Sequence, residues 1–219
     1  MIRGRLEEKR FFDVIYPVSE DRVIIEAPHA GGPKREYYTG YIAVELCGRY
    51  GWGGIISRTS RLIVDFNRDE EFRAKFGSYQ REGIEARNGA LKKLVNRLNR
   101  EGSSPLLYLT LHGVSDENAN SCGGDFIVGT INGQLCPPEF RDGFTQRLSQ
   151  ALKTCGAPHR GVKEVRYSGD PSLIEIKRLF GEKFYLIQLE LSKELRERFT
   201  DEIISSLFLA VKGTLRELR

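Results

Sequence analysis

The chain has 219 residues, 40% hydrophobic and 29% charged, and a chain of that length buries roughly 70% of its unfolded surface on folding, enough for a core without disulfides or structural zinc. That composition excludes collagen-like and wholly disordered proteins, and no apolar run approaches the roughly 18 residues of a membrane span. The net charge of +4 comes from 34 Lys and Arg against 30 Asp and Glu in mixed runs such as Arg5-Leu6-Glu7-Glu8-Lys9-Arg10, so a one-signed face for nucleic acid is not expected.

In chain order, strands alternate with amphipathic helices. Phe11 to Tyr16 and Arg22 to Ala27 predict two strands, joined through Pro17-Val18-Ser19-Glu20-Asp21 as a hairpin over 11–27. The β-branched run Val23-Ile24-Ile25 suits an interior strand. It ends in Pro28-His29-Ala30-Gly31-Gly32-Pro33, a loop that cannot continue a ladder. Tyr38 to Arg49 predicts a helix, with Tyr38, Ile42 and Leu46 on one stripe. Gly53 to Ser57 predicts a strand, and Leu62-Ile63-Val64 is a further short apolar run, read as ending at Asp65-Phe66-Asn67-Arg68.

Ile84, Leu91, Leu94, Val95 and Leu98 then repeat at helical spacing. Pro105 opens a buried strand, Leu106 to Leu111, that terminates in His112-Gly113. The polar stretch Ser115 to Gly124 predicts a loop, and Phe126-Ile127-Val128 a short strand. Phe140, Phe144, Leu148 and Leu152 give a helix, followed by a weak strand over Val162 to Val165. Pro171 begins a helix from Ser172 to Phe180, capped by Asp170 and stopped by Gly181. Phe184 to Leu191 is a strong strand. From Ser192 one long helix carries Leu195, Phe199, Ile203, Leu207, Val211 and Leu215 on one stripe. The fold class expected is α/β, a three-layer sandwich with a central mixed sheet, in one domain over residues 1–219.

Four cysteines (Cys47, Cys122, Cys136, Cys155) lack paired spacing, which disfavours a zinc knuckle. The start Met1-Ile2-Arg3-Gly4-Arg5 has no apolar segment behind it, so the expected localisation is cytoplasmic. Two of the three histidines occupy the same kind of place. His29 and His112 each follow an apolar strand and precede glycine, at the strand edge where open α/β sheets bind ligands. Two imidazoles there can ligate one divalent metal, and a carboxylate third ligand leaves a position for water. Period 2 puts Gln188 and Glu190 on one face of the last strand, with Glu190 placed as general base or as an ordinary salt-bridge partner. Asn67, Arg68, Arg58 and Arg61 offer donors for a substrate carboxylate, and Asp65 is read as pairing with one of these arginines. Asp125 is a pocket-lining candidate, Tyr37 and Tyr167 are possible substrate contacts, and His159 is read as a surface residue. Gly123-Gly124-Asp125 lacks the Lys-Ser/Thr ending of a phosphate loop.

The segments Ala27-Pro28-His29-Ala30-Gly31-Gly32, Ser60-Arg61-Leu62-Ile63-Val64-Asp65-Phe66-Asn67-Arg68 and Leu111-His112-Gly113 resemble signatures of the N-formylglutamate amidohydrolase family. Asp125-Phe126-Ile127-Val128-Gly129-Thr130 and Gln188-Leu189-Glu190-Leu191 match its order, and the likeness runs from about residue 22 to 198. It reaches the wider zinc carboxypeptidase-like superfamily, including poly-gamma-glutamate hydrolases. The resemblance implies a phosphorylase/hydrolase-like (zinc exopeptidase-like) fold that cleaves amides beside a free carboxylate in a small molecule or short peptide, with neither nucleic acid nor membrane as partner. It makes His29 and His112 zinc ligands, Glu190 the general base, Asn67 and Arg68 the carboxylate clamp and Arg61 the stabiliser of the developing oxyanion. The short His-x-x-Glu spacing is absent because position 32 is Gly; Glu36 is the middle ligand by likeness to the poly-gamma-glutamate hydrolase loop, and Glu45 the alternative. A non-catalytic, metal-stabilised binding or structural protein of the same fold is the competing expectation.

Overall fold

In the computed structural model, residues 4–67, 78–99, 105–166 and 169–217 are described. Among them the strands are β1 Leu6–Glu8, β2 Phe12–Ile15, β3 Val23–Ala27, β4 Gly53–Ser57, β5 Leu106–Gly113, β6 Phe126–Gly129, β7 Gly161–Lys163 and β8 Phe184–Leu191. They form a single sheet in the order β1-β2-β4-β3-β5-β8-β6-β7. The central four, β4, β3, β5 and β8, are mutually parallel, while β2 and β6 join antiparallel on either side. The sheet is therefore mixed. The helices are α1 Thr39–Tyr50, α2 Ser78–Leu98, α3 Asp116–Ser121, α4 Pro138–Thr154, α5 Ser172–Phe180, α6 Lys193–Arg198 and α7 Thr200–Arg216.

Alternation along the strands divides the core in two. Val23, Ile25, Leu107, Leu109, Leu111, Ile187 and Leu189 face α1, α4 and α7, meeting Leu46, Phe144 and Leu207. Ile24, Ile55, Leu106, Tyr108 and Leu186 face α2 and α5, meeting Leu91, Leu94 and Ile176. The result is a three-layer α/β sandwich, helices covering both faces of the mixed sheet as buried parallel strands require. No helix among the described residues is long and apolar enough to cross a membrane.

Four local expectations are corrected. The hairpin over 11–27 does not form, because β4 lies between β2 and β3. The apolar β3 takes parallel partners on both sides, and the tight reversal falls earlier, where Lys9 N donates to Phe12 O (2.9 Å) between β1 and β2. Ser115 to Gly124 contains α3: the Ser115 hydroxyl accepts from Asn118 N, Asp116 and Glu117 occupy the first turn, and Ala119 is buried. A helix of six residues is too short to show a period. The last helix is two, α6 and α7, interrupted at Phe199 (φ −126°, ψ 38°). Leu62-Ile63-Val64 is a turn in which Ile63 N and Val64 N both donate to Ser60 O (2.9 and 3.1 Å). Its Leu62 and Ile63 side chains are exposed, and Val64 is buried.

Candidate metal centre

The parallel strands bring their C-terminal ends to one edge of the sheet. His29 follows β3 by two residues, and β5 ends in His112-Gly113. Glu190 lies beside His112 in the β5–β8 register. By period 2, His112 shares a face with Tyr108, and Glu190 with Leu186, so both emerge on the side covered by α2 and α5. The loop after His29 then folds back. Gly32 adopts φ 66°, and a Cβ at Gly31 would lie 2.3 Å from the Arg58 carbonyl carbon, so glycines let this loop lie flat against the segment after β4. Glu36 N closes the loop on His29 O at 2.9 Å.

That return places Glu36 between the two imidazoles. Its Oε1 lies 2.8 Å from His29 Nδ1, and its Oε2 lies 3.4 Å from His112 Nδ1 and accepts Gly113 N–H at 2.9 Å. The imidazole ring centres are 5.0 Å apart, and one ligand atom from each of His29, Glu36 and His112 lies within 4.8 Å of the other two. The other ring nitrogen of His29, Nε2, is 2.8 Å from Asp65 Oδ1. Both ring nitrogens of His29 thus face carboxylate oxygens, and the Asp65 contact orients the ring so that Nδ1 points inward to Glu36. Two imidazoles and a carboxylate, open on one side, form a donor set that could hold a divalent metal ion with a position left free. His112 Nε2 is buried without a hydrogen-bond partner among the described residues.

The open side is a cavity of about 410 Å³ lined by His29, Glu36, His112, Glu190, Arg61 and Asn67, with Asn118, Arg166, Asp170 and Gln188 also on its wall. Burial alone would raise the Glu36 carboxyl, but the His112 and His29 imidazoles outweigh it and hold Glu36 well below the usual carboxylate range. Burial likewise works against a charged His112, and Glu36 overcomes it, pushing His112 up to about 9. Burial raises the Glu190 carboxyl, partly offset by His112; Gln188 Nε2 donates to its Oε1 at 3.0 Å.

The structure thus brings together His29, Glu36, His112, Glu190, Arg61 and Asn67, which the chain spreads over more than 160 positions. Arg61 is engaged by two carboxylates, with Nη1 3.4 Å from Glu36 and Nη2 3.3 Å from Asp65. Arg58 does not reach the cavity; it is exposed and pairs with Glu8 and Asp13 (3.1 and 3.2 Å). Asp125 is held instead by Arg160 at 2.9 Å. Glu45 pairs with Arg49 one turn along α1 at 2.8 Å and stands outside the cluster. Arg68 and Tyr167 lie outside the described residues, and Tyr37 is exposed away from the cavity wall. Sequence reasoning missed the contact of Asp65 with His29, and it missed Asn118, Arg166 and Asp170 on the wall. Gln188 had a signal, sharing the Glu190 face by period 2; the others had none beyond residue type.

No known family's sequence profile matches this chain, and no curated protein does. Solved structures do. The chain is similar to the N-formylglutamate amidohydrolase from Ralstonia eutropha JMP134, at 15% identity over 96% of this chain and 99% of that one, TM-score 0.72. A gene product from Agrobacterium tumefaciens is 12% identical over 95% of each chain, TM-score 0.65. A metallo-carboxypeptidase from Burkholderia cenocepacia is 12% identical over 100% of this chain and 66% of its own, TM-score 0.56. At these identities the shared property is the fold.

Proposed function

We propose that this protein is a zinc-dependent amidohydrolase that cleaves an amide beside a free carboxylate, in a small N-acyl amino acid of the N-formylglutamate kind or a γ-glutamyl peptide. The observation that carries the reading is the His29–Glu36–His112 cluster, open to a cavity whose wall also bears Glu190. Zinc held by these three side chains would supply Lewis acidity toward the amide carbonyl and toward an attacking water. Glu190, in this reading, takes the proton from that water as the carbon–oxygen bond forms. It then delivers the proton to the leaving nitrogen as the carbon–nitrogen bond breaks, so acid and amine products balance. Its raised pKa suits a group that must both accept and return a proton. Arg61 presents a fixed positive charge to the developing oxyanion, while its bonds to Glu36 and Asp65 hold it still. Asn67 and Arg166, both on the cavity wall, are donors for a substrate carboxylate in this reading.

The structural-protein alternative needs a fourth protein ligand closing the site. The cluster among the described residues has three members, and Glu190 is not one of them, which supports the catalytic reading. The test is metal content by mass spectrometry on the purified protein, followed by assay of N-formyl, N-acetyl and γ-glutamyl amino acids on the same sample. Glu190→Gln is expected to keep its zinc and lose about 10²–10⁴-fold in turnover. Wild-type turnover in that variant would remove Glu190 from the mechanism.

A further inference from the structure

Arg196 is a buried cation, 6% exposed, whose three hydrogen bonds all end on backbone carbonyls. Ser192 caps α6 by accepting Leu195 N–H at 3.3 Å, and the last turn of this short helix carries Arg196, whose side chain reaches back to the end of β8. There Nε donates to Leu191 O at 3.0 Å, Nη2 to Val114 O at 3.3 Å and Nη1 to Tyr37 O. Each acceptor sits beside a residue of the centre. Leu191 follows Glu190, Tyr37 follows Glu36, and Val114 is two beyond His112. Between His112 and Val114, a Cβ on Gly113 would come within 2.5 Å of the guanidinium carbon, so the glycine leaves the room Arg196 fills. The same Gly113 donates its N–H to Glu36 Oε2.

We propose that Arg196 is a positioning residue that fixes the loop carrying Glu36 against the paired strand ends carrying His112 and Glu190, so that the ligand spacing exists before any ion arrives. The proposal rests on reading that cluster as a metal centre. The planar five-donor fork of arginine satisfies three carbonyls in fixed directions, which the single ammonium of lysine cannot reproduce. β5 and β8 are already paired here, His112 opposite Glu190 and Gly113 opposite Leu191, with Val114 N–H donating to Leu191 O at 3.0 Å, so what Arg196 adds is the tie from these strand ends to the loop that carries Glu36.

Two measurements on Arg196→Lys, which keeps the charge, test this. In metal-free protein, amide hydrogen exchange at position 113 is expected to accelerate at least about tenfold, while Leu107 in the same strand keeps its protection. In a cobalt(II) titration the dissociation constant is expected to rise about 10–100-fold, with an altered visible band reporting changed coordination. Gly113→Ala displaces the guanidinium from the opposite side and is expected to give the same two changes with Arg196 intact, which keeps the test decisive if the lysine variant does not fold. Ile203→Val, a core substitution in α7, is the control for general destabilisation and should move neither readout. Wild-type exchange at position 113 in folded Arg196→Lys and Gly113→Ala overturns the proposal. If wild-type protein takes up no cobalt, it is the metal reading that fails, and exchange at position 113 alone decides the role of Arg196.

Discussion

At the scale of single residues, the site depends on carboxylates that orient other groups. Asp65 accepts from His29 Nε2 at 2.8 Å, from Arg61 and from the Asn67 backbone N–H at 3.1 Å, so one side chain orients an imidazole, a guanidinium and a loop. Asp65→Ala should leave the His29 ring free to rotate and weaken zinc binding about 10–100-fold by chelator competition; unchanged affinity would show that His29 is oriented by something else. His29, His112 and Glu190 were legible in the sequence because each follows or ends an apolar strand. The imidazole contact of Asp65 was not, since a carboxylate four positions after Arg61 reads first as an ion pair, and that pair also exists.

At the scale of elements, α2 holds the segment that carries Asp65. Gln80, Ile84, Arg87 and Leu91 fall on one helical face at i, i+4, i+7 and i+11. Gln80 makes a two-way bond with the Asp65 backbone: its Nε2 donates to Asp65 O at 2.6 Å, and its Oε1 accepts Asp65 N–H at 2.8 Å. Two turns on, Arg87 pairs with Glu26 of β3 at 3.2 Å and donates to Phe66 O at 3.4 Å, all of it buried. Gln80→Ala would remove the side-chain partner of two buried backbone groups of Asp65. It should lower unfolding free energy by about 1–3 kcal/mol in urea titration and should weaken zinc binding in the same protein. Loss of stability with full zinc affinity would mean that the 64–67 segment keeps its place without the helix. Long elements such as β5, β8 and α5 were legible from period and caps, whereas α3 and α6, at six residues each, are too short to repeat a pattern.

At the scale of the whole molecule, folding collects charged groups that lie far apart in the unfolded chain, and that makes stability depend on pH. His112, faced by Glu36, Glu190 and Arg61, has its pKa raised from 6.5 to about 9. Its contribution is therefore complete below the unfolded value and is lost as pH rises through about 9. Glu36 is depressed from 4.5, so its contribution is present above that value and is lost as pH falls through the folded pKa. The metal-free protein should accordingly melt highest between about pH 4.5 and 6.5 and progressively lower toward pH 9. His112→Asn should abolish the alkaline decline, and a flat wild-type profile over that interval would refute the coupling. A zinc ion bound as proposed would have to displace the His112 proton, so its affinity is expected to rise with pH over the same interval. A hundredfold excess over the dissociation constant should add about 2.7 kcal/mol of stability, reversed by a chelator.

The sequence by itself determined the alternation of strands and helices, the boundaries of the strongly periodic elements, and the placing of two histidines and a glutamate at strand ends, because these follow from local periodicity, turn chemistry and the fixed direction of a parallel strand. Only the tertiary structure decided that β4 separates β2 from β3, that Glu36 rather than Glu45 meets the imidazoles, that Arg58 and Asp125 pair elsewhere, and that Arg196 and Gln80 hold the segments of the centre. Those outcomes depend on contacts between residues up to 159 positions apart, settled by competition for space and for buried hydrogen-bond partners, which no local pattern records.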